Sequence, residues 1–261
     1  MKGNERNIKL LVEYDGTDWH GWQIQPNAPT IQGELEAAIL RVTGEPRRVT
    51  GSSRTDAGVH AAGQVCNFYT TSRIPTERIP YALNANLPPS IVVLQAEEVA
   101  PEFHARYDAV GKRYIYEIIN RPLPSALRRR YSYHVARPLD LAAMHRAAAM
   151  LQGEHDFAAF QAAGSSVQNT VRNLSHLSVR EVQPGRLLIC VEGNGFLYNM
   201  VRILVGTLVW VGSGRLGPEA MPQILRSRDR SQAGPTAPPQ GLCLEKVFYD
   251  RTYLDTGKTL R

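Results

Sequence analysis

Residues Arg113–Ile119 (RYIYEII) run directly into Asn120–Arg130 (NRPLPSALRRR). The first stretch is aromatic and β-branched and predicts a strand. The second has two prolines followed by three consecutive arginines, and predicts an exposed connection where that strand stops. Working back from it, Ile91–Val99 and Val65–Thr70 read as strands, and Ile8–Tyr14 as another, closed by the turn Asp15-Gly16. Between them Thr30–Val42 carries Ile31, Leu35, Ala38, Ile39 and Val42 at helical spacing and stops at Gly44. Thr76–Leu87 predicts a shorter helix with Thr76 as its N-cap. Working forward, Tyr131–Val135 is a strand, Leu141–Leu151 a helix, and Val171–Val182 and Leu187–Glu192 two strands turned by Gln183-Pro184-Gly185. Phe196–Val211 is a long apolar helix, Pro218–Arg226 a second, and Gly241–Tyr249 a closing strand.

Both sides of the connection therefore read roughly as β-α-β-β-α-β. That order describes a ferredoxin-like, RRM-like α+β unit, an antiparallel sheet with helices on one face. The expected division is residues 1–120 and 121–261, two units of ordinary domain size. A sheet face left open by this arrangement suits RNA, but no RNP1 pattern is present.

Composition narrows the function classes. The chain has 261 residues, 43% hydrophobic and 21% charged, enough for a real core. No apolar run approaches the ~18 residues of a membrane span, and Met1–Arg6 lacks the apolar core of a signal peptide. Cys66, Cys190 and Cys243 make an odd count with no CxxC pair, which argues against a disulfide framework or a cysteine zinc site. The expected location is cytoplasmic. Neither a GxxxxGK[ST] loop nor a GxGxxG following a strand is present, nor HExxH, nor a zinc-deaminase pattern. No nucleotide cofactor and no metal are expected. The net charge is +6, and of 30 basic residues five are lysine and 25 arginine. Six arginines (121, 128, 129, 130, 137, 146) face one acid, Asp140, within residues 121–146, and five more fall within 202–230. Local basic foci on a weakly charged body suit a shaped polyanion better than a membrane sheet.

The stretch Gly51–Val65 (GSSRTDAGVHAAGQV) carries the chemistry. Its small residues let a ligand approach the backbone closely. Asp56 is its only acid, flanked by Arg54 and His60. An ionised carboxylate there can act as nucleophile, base or metal ligand, or simply cap its own turn. A lone carboxylate argues against two-metal phosphoryl chemistry and against a paired-carboxylate glycosidase. In KRYIY, alternation puts Tyr114 and Tyr116 on one face, either to stack on a base or to pack in a core. Arg202 lies in an otherwise apolar helix and must either reach solvent or pair with a carboxylate. His60 reads as loop scaffold or RNA contact.

GSSRTDAGVHA, FHARYDA (Phe103–Ala109), KRYIYEI and NMVRILVG, in their spacing, resemble the TruA family of tRNA pseudouridine synthases over about residues 7–249. Arg251–Arg261 falls outside the resemblance and is expected to fray. The resemblance implies two ferredoxin-like halves with the catalytic cleft between them. The first would carry the aspartate loop and the second the arginine helix. It implies conversion of uridine to pseudouridine at tRNA positions 38, 39 and 40, in the anticodon stem-loop, by a homodimer without cofactor. Asp56 matches the family's essential aspartate and Arg202 the arginine that pairs with it. Tyr114 matches the tyrosine that stacks on the target base, and Leu244 the apolar residue near the base, with Leu242 its rival. Arg54 and His60 are the remaining expected substrate contacts.

Overall fold

The computed structural model describes residues 5–164 and 167–250; Arg251–Arg261 lies outside them. The described residues group into two compact units, residues 5–110 with Leu244–Tyr249, and Gly111–Cys243.

In the first unit, β1 (Arg6–Tyr14) alternates Ile8, Leu10 and Val12 into the core. It pairs antiparallel with β3 (His60–Thr70) on one side and β4 (Ile91–Val99) on the other. The short β2 (Thr50–Gly51) pairs with β3. Beyond β3 lies β11 (Leu242–Phe248), whose residues from Leu244 belong to this unit. Helix α1 (Ile31–Thr43) buries Ile31, Leu35, Ala38 and Ile39, the residues its periodicity had placed on one face. Thr30 caps it by accepting from the Gly33 amide, and Gly44 ends it in the left-handed region at φ 74°. A 3-10 turn, Thr76–Arg78, leads into α2 (Ile79–Asn84).

In the second unit, β5 (Gly111–Asn120) pairs antiparallel with β10 (Arg186–Gly193), which pairs antiparallel with β9 (His176–Gln183). The short β6 (Tyr133–Val135) runs parallel to β5. Helix α3 (Leu141–Met150), N-capped by Asp140, packs on β9 and on α4 (Met200–Gly212). A 3-10 turn precedes α5 (Met221–Ser227). Gly153–Asp156 (β7) and Val171–Leu174 (β8) form a separate antiparallel hairpin. The described residues thus make a mixed α/β fold with five α-helices, in which antiparallel pairing dominates.

Four details differ from the sequence reading. Thr76 is not an N-cap: it is the first residue of the 3-10 turn, and its hydroxyl accepts from Arg6. The expected strand Val171–Val182 is two strands, because Val171–Leu174 pairs with β7 while His176–Gln183 pairs with β10. β7 itself (GEHD) was not expected; it has no apolar alternation. Helix α4 starts at Met200 rather than Phe196, because Asn199 adopts φ 58° and interrupts the helical path. Asparagine is among the few residues that tolerate this conformation. None of the described helices is long and apolar enough to cross a membrane.

Candidate active site

Asp56 sits on the loop between β2 and β3, partly exposed, with Arg54 exposed beside it. Nearly every residue around them is tied down. Gln64 on β3 is fully buried and reaches back across the loop. Its Oε1 accepts from the Ser52 hydroxyl at 2.7 Å and the Ser53 amide at 3.3 Å, while its Nε2 donates to the Ser53 carbonyl at 2.9 Å. The Tyr14 hydroxyl, at the end of β1, shares a 2.7 Å hydrogen bond with the Thr55 hydroxyl. These bonds hold the loop in one conformation, since each lost partner would strand a polar group out of water; the buried Ser53 hydroxyl alone among them makes no hydrogen bond to the described residues.

The far side of the loop rests on residues 15–22. The Trp22 amide donates to the Thr55 carbonyl at 3.0 Å, and the Gly58 amide to the Trp19 carbonyl at 3.3 Å. Gly21 has φ 87°, and a Cβ there would lie 2.6 Å from the Thr55 carbonyl oxygen and 3.1 Å from the Asp56 carbonyl carbon. Only glycine lets these two backbones approach so closely. His60 is buried, and its Nδ1 accepts from the Gly16 amide at 3.0 Å. The Asp15 carboxylate lies 3.2 Å from the same Nδ1 and also accepts from the Thr17 amide. Of the two readings for His60, this geometry supports scaffold: the ring pins the Gly16 turn against the start of β3.

Arg202 is on the first turn of α4, a helix buried on nearly every side. Its Nε donates to the Ala237 carbonyl at 2.7 Å and its Nη1 to the Asn199 side-chain oxygen at 2.7 Å. The Ala237 amide returns a 3.0 Å bond to the Arg202 carbonyl. Asn199 thus interrupts the helical path at the start of α4 and spends its side chain on the guanidinium. The Thr207 hydroxyl accepts from the Gly234 amide at 2.9 Å and fixes the same 233–237 segment on α4.

On β5, alternation does place Tyr114 and Tyr116 together, but they differ. Tyr116 is fully buried, its hydroxyl donates to the Pro238 carbonyl at 2.7 Å, and burial pushes its pKa well up. It is a core residue. Tyr114 retains slight exposure and meets Phe196 edge to face, ring centroids 5.1 Å apart and planes at 86°. Leu244 is completely buried in the first unit, while Leu242 belongs to the second.

The basic foci divide as well. Arg128 and Arg186 both bind the buried Glu117, at 3.0 and 2.8 Å, so Arg128 is structural. Arg228 pairs with Asp156 at 2.8 Å. Arg230 donates to the Ala233 carbonyl and the Thr236 hydroxyl, and burial lowers its pKa. Among the described residues no cluster of His, Cys, Asp and Glu is arranged to hold a metal ion.

A family model described as tRNA pseudouridine synthase matches residues 10–108 and 147–250. The chain is 54% identical over 244 residues to tRNA pseudouridine synthase A of Moorella thermoacetica, covering 93% of this chain and 99% of that one. The chain belongs to the TruA family of tRNA pseudouridine synthases. It is also 52% identical to the proteins of that name from Thermoanaerobacter pseudethanolicus and Acetivibrio thermocellus, in each case over 94% of this chain and 100% of the other. It is therefore an isomerase that converts uridine to pseudouridine in tRNA.

For a TruA family member, the parts that sequence reasoning missed are those that hold the aspartate loop: Gln64, Tyr14, Thr55 and the 15–22 loop. Gln64 and Thr55 lie inside the quoted motif, so a signal existed. Tyr14 and Gly21 are distant in sequence; the β1–β3 pairing brings Tyr14 to the loop, and the Trp22–Thr55 backbone bond brings Gly21.

Proposed function

We propose that the chain isomerises uridine at positions 38, 39 and 40 of the tRNA anticodon arm, with Asp56 as the reacting carboxylate, without cofactor and as a homodimer. The reading is carried by the aspartate loop, in which a partly exposed carboxylate sits on a frame held by the Gln64 and Tyr14 hydrogen bonds. The reaction breaks the C1′–N1 bond, rotates the base, forms C1′–C5, gives up the C5 proton to solvent and takes up a proton at N1. Nothing is oxidised and no phosphate is transferred, so neither a redox cofactor nor ATP is required.

The target nucleotide must leave the stack first, at a cost of a few kcal/mol. Stacking on Tyr114 offsets about 1–3 kcal/mol of that. Asp56 then engages the ribose, at C1′ as nucleophile or at the C2′ proton as base. Arg202 takes the role of the family's arginine partner to that aspartate, and its two fixed hydrogen bonds support a pre-set orientation. Arg54, exposed beside Asp56, takes part in extruding the base, His60 positions the loop, and Leu244 packs near the base. Two ferredoxin-like halves, one bearing the Asp56 loop and the other the Arg202 helix, are supported by the order of strands and helices. A cytoplasmic location follows from a tRNA substrate.

The test is direct. A tRNA transcript with uridine at 38, 39 and 40 is incubated with the protein alone, and pseudouridine is mapped by carbodiimide-dependent stops in reverse transcription. Stops are expected at those positions and lost at each uridine replaced by cytidine. Modification confined to another arm contradicts the reading.

A further inference from the structure

Arg172 lies on β8. It is partly buried, and burial lowers its pKa. Its Nη1 donates to two backbone carbonyls, Asn169 at 3.0 Å and Val171 at 2.6 Å. Among the described residues no carboxylate pairs with it and no acceptor lies on its Nε or Nη2. Arg113 and Arg186 of this unit are neutralised, by Glu192 and Glu117, whereas Arg230 is held by the Ala233 carbonyl and the Thr236 hydroxyl. A guanidinium that is partly desolvated without gaining an anion is less favourable than a paired one. The bonds to Nη1 hold the planar group still and leave its Nε–Nη2 edge, which binds phosphate in bidentate fashion.

The surroundings locate that edge. A Cβ on Gly195 would lie 3.5 Å from Arg172 Nε, so the guanidinium passes over the Gly193–Gly195 turn. The turn is rigid: the Asn173 amide donates to the Asn194 side chain at 3.0 Å, and the Asn194 amide to the Asn173 carbonyl at 3.1 Å. The next residue is Phe196, whose ring meets Tyr114 edge to face. Arg172 is therefore tied, through one short turn, to the aromatic pair assigned to the target base.

We propose that Arg172 is a phosphate-binding residue that grips an RNA phosphodiester next to the nucleotide stacked on Tyr114. This rests on the base-stacking role given to Tyr114 under the proposed function. A nucleic acid strand presents a phosphate beside every base, and glycine at 195 keeps a side chain from covering the guanidinium edge.

The experiment measures equilibrium binding of an unmodified tRNA transcript by the unaltered protein, R172Q and R172K over a salt series. For R172Q, the slope of log affinity against log salt is expected to shrink by about 0.7–0.9, one phosphate contact, with a several-fold loss of affinity at low salt. R172K is expected to keep the slope and lose part of the affinity, because a point charge replaces the fork. In turnover, R172Q is expected to raise KM and leave kcat within about twofold. A slope and affinity for R172Q equal to those of the unaltered protein overturn the proposal. So does a loss of affinity with the slope unchanged, which marks a structural role. Binding is read without turnover, so absence of pseudouridine at positions 38–40 counts against the proposed function and not against an Arg172-dependent salt slope.

Discussion

Tyr114 and Tyr116 are two positions apart on one strand, yet their chemistry diverges. Tyr116 gives its hydroxyl to Pro238 and packs its ring against Gly241, whereas Tyr114 touches Phe196 and retains slight exposure. A base-stacking tyrosine needs its ring more than its hydroxyl. Tyr114→Phe should therefore bind tRNA within about twofold of the unaltered protein, while Tyr114→Ala should weaken binding by roughly tenfold or more, in line with the loss of ~1–3 kcal/mol of stacking. Filter binding checks both, and equal affinity for Tyr114→Ala would remove the residue from the recognition surface. The sequence placed both tyrosines on one face but left open which was core. That was decided by the 238–241 turn, far along the chain. Arg202 was legible for a similar reason and to a similar depth: a charge in an apolar helix demands a partner, but Asn199 and Ala237 become its partners only once the helix start and the 233–237 segment are folded.

At the scale of elements, the aspartate loop is a strap between β2 and β3 held from three sides. Gly21 is one of its close contacts. Gly21→Ala places an L side chain at φ 87° against the Thr55–Asp56 backbone. The conformation alone costs about 1–2 kcal/mol, which should lower Tm by several degrees in a protein of this size. Calorimetry of the variant measures it, and an unchanged Tm would mean the loop is not clamped there. A second strap is Glu45, which accepts from the hydroxyls of Thr71 and Thr70 and pairs with Arg47 at 2.9 Å. The Thr71 hydroxyl chiefly, with Thr70 and Arg47, holds the Glu45 pKa down at about 2 against an ordinary 4.5. A depressed carboxyl stabilises the fold fully above its unfolded pKa and loses that contribution as pH falls through the folded one. Glu45→Gln should therefore melt lower than the unaltered protein at pH 7, with the gap closing between pH 4.5 and 2. A gap independent of pH would contradict the linkage. Periodicity made α1 and β1 legible almost to the residue. It missed β7, whose GEHD sequence has no apolar alternation, and it fused β8 with β9, because a strand that changes partners at Ser175 shows no break in its own pattern.

For the whole molecule, the modest net charge of +6 carried by 25 arginines resolves into separate uses. Arg128, Arg186 and Arg228 hold the fold through Glu117 and Asp156, which leaves fewer arginines for RNA than the count suggests. If about six cations meet phosphates, tRNA affinity should fall by roughly three decades between 50 and 200 mM salt. A nearly flat salt response in a binding titration would contradict recognition through the backbone. The central claim is that Asp56 drives cleavage and re-formation of the bond to a uridine base, a reaction that must release the C5 hydrogen. The decisive measurement is tritium release from tRNA labelled at uridine C5, compared between the unaltered protein and Asp56→Asn, with tRNA binding measured alongside. The account predicts release by the unaltered protein, none above background for Asp56→Asn, and tRNA affinities within about tenfold of each other. Undiminished release by Asp56→Asn would contradict it.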